Sequence, residues 1–239
     1  MNAITNFQPL YKQVYDTIVS RLSQGYWRAG DSLPSEFALA EELGVSQGTV
    51  RKALNHLVDK NILRRQQGKG TYVSEHTGES DLYRFFRYRE SGGERLVPEN
   101  RLISRKRRKI KKDECRRLSL ESPEYVSELT RVRSFDGKPL IYEVVIQPLS
   151  IFPGLDKIAE LPNSLYGFYQ SHFGVSIVEA HDELRAVALA AKIAAHLDLA
   201  AASPALMTER SSIDIDGRIV EISQAYCNTQ DFVYAALLK

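Results

Sequence analysis

The sequence predicts a two-domain α+β protein: an N-terminal winged helix-turn-helix followed by a mostly antiparallel sheet carrying helices. Three observations predict it. The first third carries helical apolar spacing broken by a glycine-centred turn, the second half carries two Asp-Gly hairpin signals, and a small, polar, acidic stretch lies between them. The chain has 239 residues, 43% hydrophobic and 26% charged, so each part can bury a core of its own. The expected division is 1–75 for the helical head, 76–82 for a linker and 83–239 for the sheet domain.

In the head, Leu10, Val14, Ile18 and Leu22 recur every fourth residue, which marks one buried face of a first helix that Gly25 can stop. Two shorter helical patterns follow, divided by Gly44-Val45. Ser35 and Ser46 are placed to cap them, and Phe37, Ala40 and Leu43 share one face while Val50, Ala53, Leu54, Leu57 and Val58 share another. Two helices joined by such a turn form a helix-turn-helix. The leading turn of the second carries Ser46, Gln47, Thr49 and Arg51. These side chains can bond bases and phosphates in a major groove, and the positive end of the helix favours phosphate. Residues 62–73 then alternate around Gln67-Gly68-Lys69-Gly70, a hairpin whose glycine tip lets a backbone approach a sugar-phosphate chain.

Residues 74–81, SEHTGESD, have no apolar periodicity and read as the link between domains. The basic run RLISRKRRKIKKDECRR follows, ending in Arg105 to Arg117. It is either a second nucleic-acid contact or a strand with a solvated face, and the alternation of Leu102, Ser104 and Lys106 favours the strand. Beyond it, YVSELTRVRSF and PLIYEVVIQ flank Asp136-Gly137, and ALMTERSSIDI and RIVEISQAYC flank Asp216-Gly217. Helical spacing at Ser164–His172 and Ala190–Leu197, a strand-like IVEAHDELRAVAL and a last strand FVYAALL complete the α+β pattern.

The net charge of +2 hides an asymmetry. Residues 1–75 carry 9 Lys+Arg against 7 Asp+Glu, residues 84–117 carry 14 against 5, and residues 118–239 carry 9 against 16. A nearly neutral head excludes binding by bulk charge alone, so placed contacts must carry any affinity for DNA. The two cysteines, Cys115 and Cys227, form no CxxC pair, and the five histidines lack ligand spacing. No metal site or cofactor is expected. His181 alternates with Glu179 and Glu183, but no nucleophile-base or HExxH signature supports catalysis. No apolar stretch approaches a membrane span and no secretory signal is readable, so the expected location is cytoplasmic.

The run LPSEFALAEELGVSQGTVRKALNHLVDKNILRRQQGKGTYV resembles the winged helix-turn-helix of the GntR family of bacterial regulators. The resemblance implies that Ser35 touches phosphate, that Ser46, Gln47, Gly48, Thr49 and Arg51 sit at the groove, and that Gly68 and Lys69 form the wing tip. Phe37 and Gln47 stand where the family usually has arginine. Gln47 can still pair bidentately with adenine, which implies an altered operator preference. ELTRVR, DGKPLIYE, NSLYGFYQSHFGV and SPALMTERSSIDIDGRIVEISQAY, in that order, resemble the UTRA effector-binding domain of HutC-type regulators, whose fold is similar to chorismate lyase. That resemblance implies an effector held by Arg131, Arg133, Glu143, Ser164, Tyr166, Glu221 and Tyr226, with Phe85 and Phe86 where the family brings a loop over the ligand. Alternation puts Arg131 and Arg133 on one face, which fits a pocket or, alternatively, exposed Arg-Glu cross-strand pairs.

The function implied is a DNA-binding repressor, acting as a homodimer on operator DNA. It is controlled by a polar anionic metabolite such as a sugar phosphate or an amino-acid catabolite. The alternative is a lyase-like enzyme or ligand-binding protein with a DNA-binding head of low specificity.

Overall fold

The computed structural model describes residues 8–76, 84–90, 92–93, 97–121, 124–230 and 232–236. Most of the expected linker lies outside them. Three helices, α1 (Leu10–Ser23), α2 (Glu36–Leu43) and α3 (Gln47–Asp59), build the head, and the hairpin β1 (Leu63–Gln66) and β2 (Gly70–Val73) closes it. The apolar faces read from the sequence meet in one core. Val14 and Ile18 of α1 and Leu39 of α2 pack with Val50, Leu54 and Leu57 of α3, and Trp27 and Leu33 close the cluster. Ser35 and Ser46 are the N-caps, accepting from the backbone N–H of Ala38 and Thr49. Between the helices Gly44 has φ +65°, a left-handed turn that a Cβ would strain.

The second domain is a six-stranded sheet in the order β4-β5-β6-β9-β8-β7, antiparallel throughout. Its strands are β4 (Glu99–Lys109), β5 (Tyr125–Phe135), β6 (Lys138–Pro148), β7 (Ile177–Ala188), β8 (Pro204–Asp214) and β9 (Ile219–Asn228). A small pair, β3 (Tyr88–Glu90) with β10 (Phe232–Tyr234), lies apart from it. Asp136 and Gly137 both have positive φ, which matches the strand twist at the β5–β6 turn. The basic run forms β4 only as far as Lys109 and then turns into the helix α4 (Lys112–Arg117). Two of its arginines are neutralised: Arg108 lies 2.6 Å from both Glu114 and Glu128, and Arg117 lies 3.2 Å from Glu209.

Helices cover both faces of the sheet. On one, α5 (Leu165–Phe168) runs into a π-helical turn, Tyr169–Phe173, and packs with Phe152, Leu155 and Leu129. On the other, α4 and α6 (Ala191–His196) pack on Val126, Ile146 and Ile222 and on Val132, Tyr142 and Ala205. The head rests against the end of this domain. Val178 and Ile215 pack on the head core, Ser23 donates to Asp216 at 2.5 Å, and the Gln170 side chain donates to Ser74 O at 3.0 Å and accepts from His76 N at 2.8 Å.

Candidate functional site: a groove-facing helix and an arginine pocket

The first site is the outer surface of the head. Packing buries one face of α3, so its opposite, N-terminal corner presents Ser46, Gln47, Gly48 and Arg51 to solvent, with Thr49 half-buried. Ser35 is exposed at the head of α2, beside Phe37, which is 69% exposed. The wing tip holds Gly68 at φ +72° with Lys69 exposed. Glu36 ties these parts together: one carboxylate oxygen accepts from Arg51 at 2.8 Å and the other from Arg65 of β1 at 3.0 Å. Recognition helix and wing are therefore joined by a bridge that also fixes the Arg51 guanidinium. The hydroxyl of Ser46 is engaged by its own helix, 2.8 Å from Thr49 Oγ1. Sequence reasoning did not find the bridge, because Glu36 meets Arg51 and Arg65 only once the helices and the hairpin have folded.

The second site lies on the sheet face that α5 covers. Neighbouring strands bring Arg131 opposite Glu143 and Glu143 opposite Ala225, and the side chains of Arg131, Arg133, Glu143, Arg210 and Glu221 converge there. Ser164, at the N-cap of α5, and Tyr166 complete the wall with Phe85 and Phe86. Six of the seven expected residues come together. Tyr226 does not. Side chains alternate across a strand, and Tyr226 falls on the opposite face, packed among Tyr142, Leu189 and Leu197, where its hydroxyl donates to Gln224 at 3.0 Å.

Charge in this pocket is nearly dry and finely balanced. Glu143 Oε2 accepts from Arg131 Nε at 2.6 Å and lies 3.3 Å from Arg133 Nε, so one carboxylate serves two guanidinium groups. Burial would raise the Glu143 pKa, but the two arginine charges outweigh it and hold it at about 2. Arg133 shows the other side of that sharing: burial and the like charge of Arg131 pull it down to about 10, and its Nε is buried with no hydrogen-bond partner. Arg210 is better served. It makes two 2.7 Å bonds to Asp182, which also accepts from Tyr234 at 2.7 Å, and these raise it despite its burial.

Beneath them runs a polar network. Glu221 is raised by burial and by the nearby Glu143 charge, and it accepts from Tyr169 at 2.5 Å and from Ser212 at 3.2 Å. Gln147 donates to the Tyr169 hydroxyl, and Tyr166 and Ser212 share a 2.8 Å bond. The cavity left between the walls is about 60 Å³, and a second of about 260 Å³ opens on the far side of Arg131, toward Asn100 and Arg105. The sequence reading missed Arg210 and Ser212. Their signal was present in TERSSID, where alternation puts Thr208, Arg210 and Ser212 on one face.

Neither site has the geometry of a catalytic centre. His181 sits 2.5 Å from Glu179 on the outer strand β7, both side chains more than half exposed and outside the pocket. No cluster of three metal-ligating side chains occurs among the described residues.

Comparison with known proteins agrees with both halves of the molecule. Residues 10–73 match the gntR family of bacterial regulatory proteins, and residues 93–233 match the UTRA domain. The mannosyl-D-glycerate transport/metabolism system repressor MngR of Escherichia coli is 31% identical over 235 residues, 96% of each chain. The transcriptional repressor NagR of Bacillus subtilis is 27% identical over 214 residues, 89% of this chain and 88% of that one. The ligand-binding domain of a protein from Bordetella bronchiseptica described as a GntR-family regulator superposes with a TM-score of 0.59 and 28% identity, covering 64% of this chain and 96% of its own. These relatives and this domain content are those of transcriptional regulators, not of enzymes.

Proposed function

Because the chain belongs to the GntR family of bacterial regulators and carries a UTRA effector domain, a DNA-binding repressor under effector control, we propose that its effector is a small hydroxylated anion seated against Arg133. The observation that carries this reading is the buried Nε of Arg133, which makes no hydrogen bond and lies 3.3 Å from a carboxylate already bonded to Arg131. A carboxylate or phosphate would give that guanidinium the forked partner it lacks. Ser164, Tyr166 and Glu221 would bond hydroxyl or amine groups, which suits a sugar phosphate or an amino-acid catabolite. A relative named for mannosyl-D-glycerate, a sugar joined to a carboxylic acid, supports that class.

On the DNA side, the proposed contacts are Ser46, Gln47, Gly48, Thr49 and Arg51 in the major groove, Ser35 on phosphate, and Gly68 with Lys69 at the wing. Two heads would read a symmetric operator, so the active form is a homodimer held through the C-terminal sheets, working in the cytoplasm. The effector would favour one arrangement of the heads, and the linkage is reciprocal.

The test begins by selecting bound duplexes from a random pool with the purified protein, then measuring affinity by fluorescence anisotropy under competitor. Arg51→Ala is expected to weaken binding by about 1–3 kcal/mol. Sugar phosphates, amino-acid catabolites and mannosyl-D-glycerate are then screened for release of that DNA. Arg133→Ala should abolish the response with DNA affinity intact, and Tyr226→Phe should leave it unchanged. A response that survives Arg133→Ala removes this arginine from the effector site.

A further inference from the structure

The arginine pocket is filled from within. Phe85 stands edge-on to Tyr166 with ring centroids 5.0 Å apart, and its carbonyl accepts from Arg210 Nη2 at 2.8 Å. The guanidinium of Arg133 lies 5.3 Å from the centre of the Phe86 ring. Both rings are buried, and the free space left is about 60 Å³. A small-molecule site ordinarily offers roughly 300–1,000 Å³. An effector therefore needs the volume that these two rings now hold.

The guanidinium of the residue before them lies 4.7 Å from the centre of the Phe85 ring and reaches on to the head. Arg84 Nη2 donates to the carbonyl of Lys60 at 3.2 Å and also to the carbonyl of Val178. Lys60 caps the C-terminal end of α3, and Val178 packs against the head core from β7. Three consecutive residues thus touch the recognition helix at one end and fill the pocket at the other. Adjacent Cα atoms are held about 3.8 Å apart, so a displacement of the backbone at Phe85 is passed directly to Arg84.

We propose that Arg84–Phe85–Phe86 is the element that transmits the state of the pocket to the DNA-reading helix: displacement of the two rings withdraws Arg84 from Lys60 and frees the end of α3. In the structure described here the pocket is self-occupied and the helix end is clasped. Arg84 is a positioning residue, acting on DNA only through α3. Gln170, one turn beyond Tyr166, holds the chain leaving the wing and supplies a second anchor that the clasp works against.

The proposal rests on the reading of the pocket and of α3 given above, but its test requires neither DNA nor effector. Hydrogen exchange of the full chain is followed at the amides of Lys60, Asn61 and Ile62, which close the end of α3 on the carbonyls of His56, Val58 and Leu57. Arg84→Ala is expected to speed their exchange roughly ten-fold, the size of losing one hydrogen bond from a charged donor. Phe86→Ala, and separately Arg210→Gln, which releases the Phe85 carbonyl without removing a ring, should do the same from the pocket. Combining either with Arg84→Ala should add nothing further, and Arg84→Lys should restore part of the protection. Wild-type exchange in Arg84→Ala, wild-type exchange in both pocket variants, or fully additive effects would each overturn the clasp. Failure of the effector reading appears elsewhere, as an unchanged metabolite response in Arg133→Ala.

Discussion

Glu143 holds the pocket's electrostatics in one carboxylate. Its pKa of about 2 lies below the ordinary 4.5 because Arg131 and Arg133 outweigh its burial. A depressed carboxylate contributes stability that is fully present above the unfolded pKa and is lost as pH falls toward the folded one. That contribution is on the order of 3 kcal/mol at neutral pH by the linkage relation. Glu143→Gln removes it and leaves two arginines facing each other, so the variant should be clearly less stable than the parent in urea at pH 7. The gap is expected to close as pH drops from about 4.5 toward about 2; a gap of constant size would show that the ion pairs contribute nothing. Tyr226 illustrates the opposite case. Its type and strand were read correctly, but a one-residue offset in parity decides the face, and it packs behind the sheet.

At the scale of elements, local chemistry was readable wherever a short-range rule applied. The serine caps of α2 and α3, the left-handed Gly44 between them and the Asp-Gly turns of both large hairpins are each set by neighbours within a few residues. Ser46→Ala removes the side-chain cap on the Thr49 N–H and should cost about 1 kcal/mol of head stability by thermal or urea unfolding. The π-helical turn at Tyr169–Phe173 was not legible as such: the residues show ordinary helical spacing, and the widening follows from seating Tyr169 against Gln147 and Glu221 on the sheet. The end of the basic strand was likewise hidden, since charge continues unchanged from β4 into α4.

For the whole molecule, the division into head and sheet domain and the antiparallel pairing followed from hairpin signals, because adjacent strands in sequence became adjacent in space. The central β6–β9 pairing joins the two hairpins across some 70 intervening residues and had no local sign. That pairing creates the pocket, which explains why Arg210 and Asp182 escaped notice while Arg131 and Glu143, on one hairpin, did not. The nearly neutral head also sets how DNA binding should respond to salt. Few phosphates can be neutralised, so the slope of log affinity against log salt should be shallow, and Lys69→Ala at the wing tip should reduce it by about one unit per head, about two for the dimer. An unchanged slope in anisotropy titrations would place the wing away from the backbone.

The strand β4 forms one border of the main sheet, and Arg105, Lys106, Arg107, Arg108 and Lys109 follow one another along it. An open border offers unpaired amides and carbonyls to any other extended chain, and charge of one sign along it is a common guard. Laid edge to edge, two such borders would bring together two runs of five basic residues, in each of which Arg108 is held by Glu114 and Glu128. The positive charge most tempting to assign to nucleic acid therefore has a quieter consequence: it opposes the pairing of one sheet border with another.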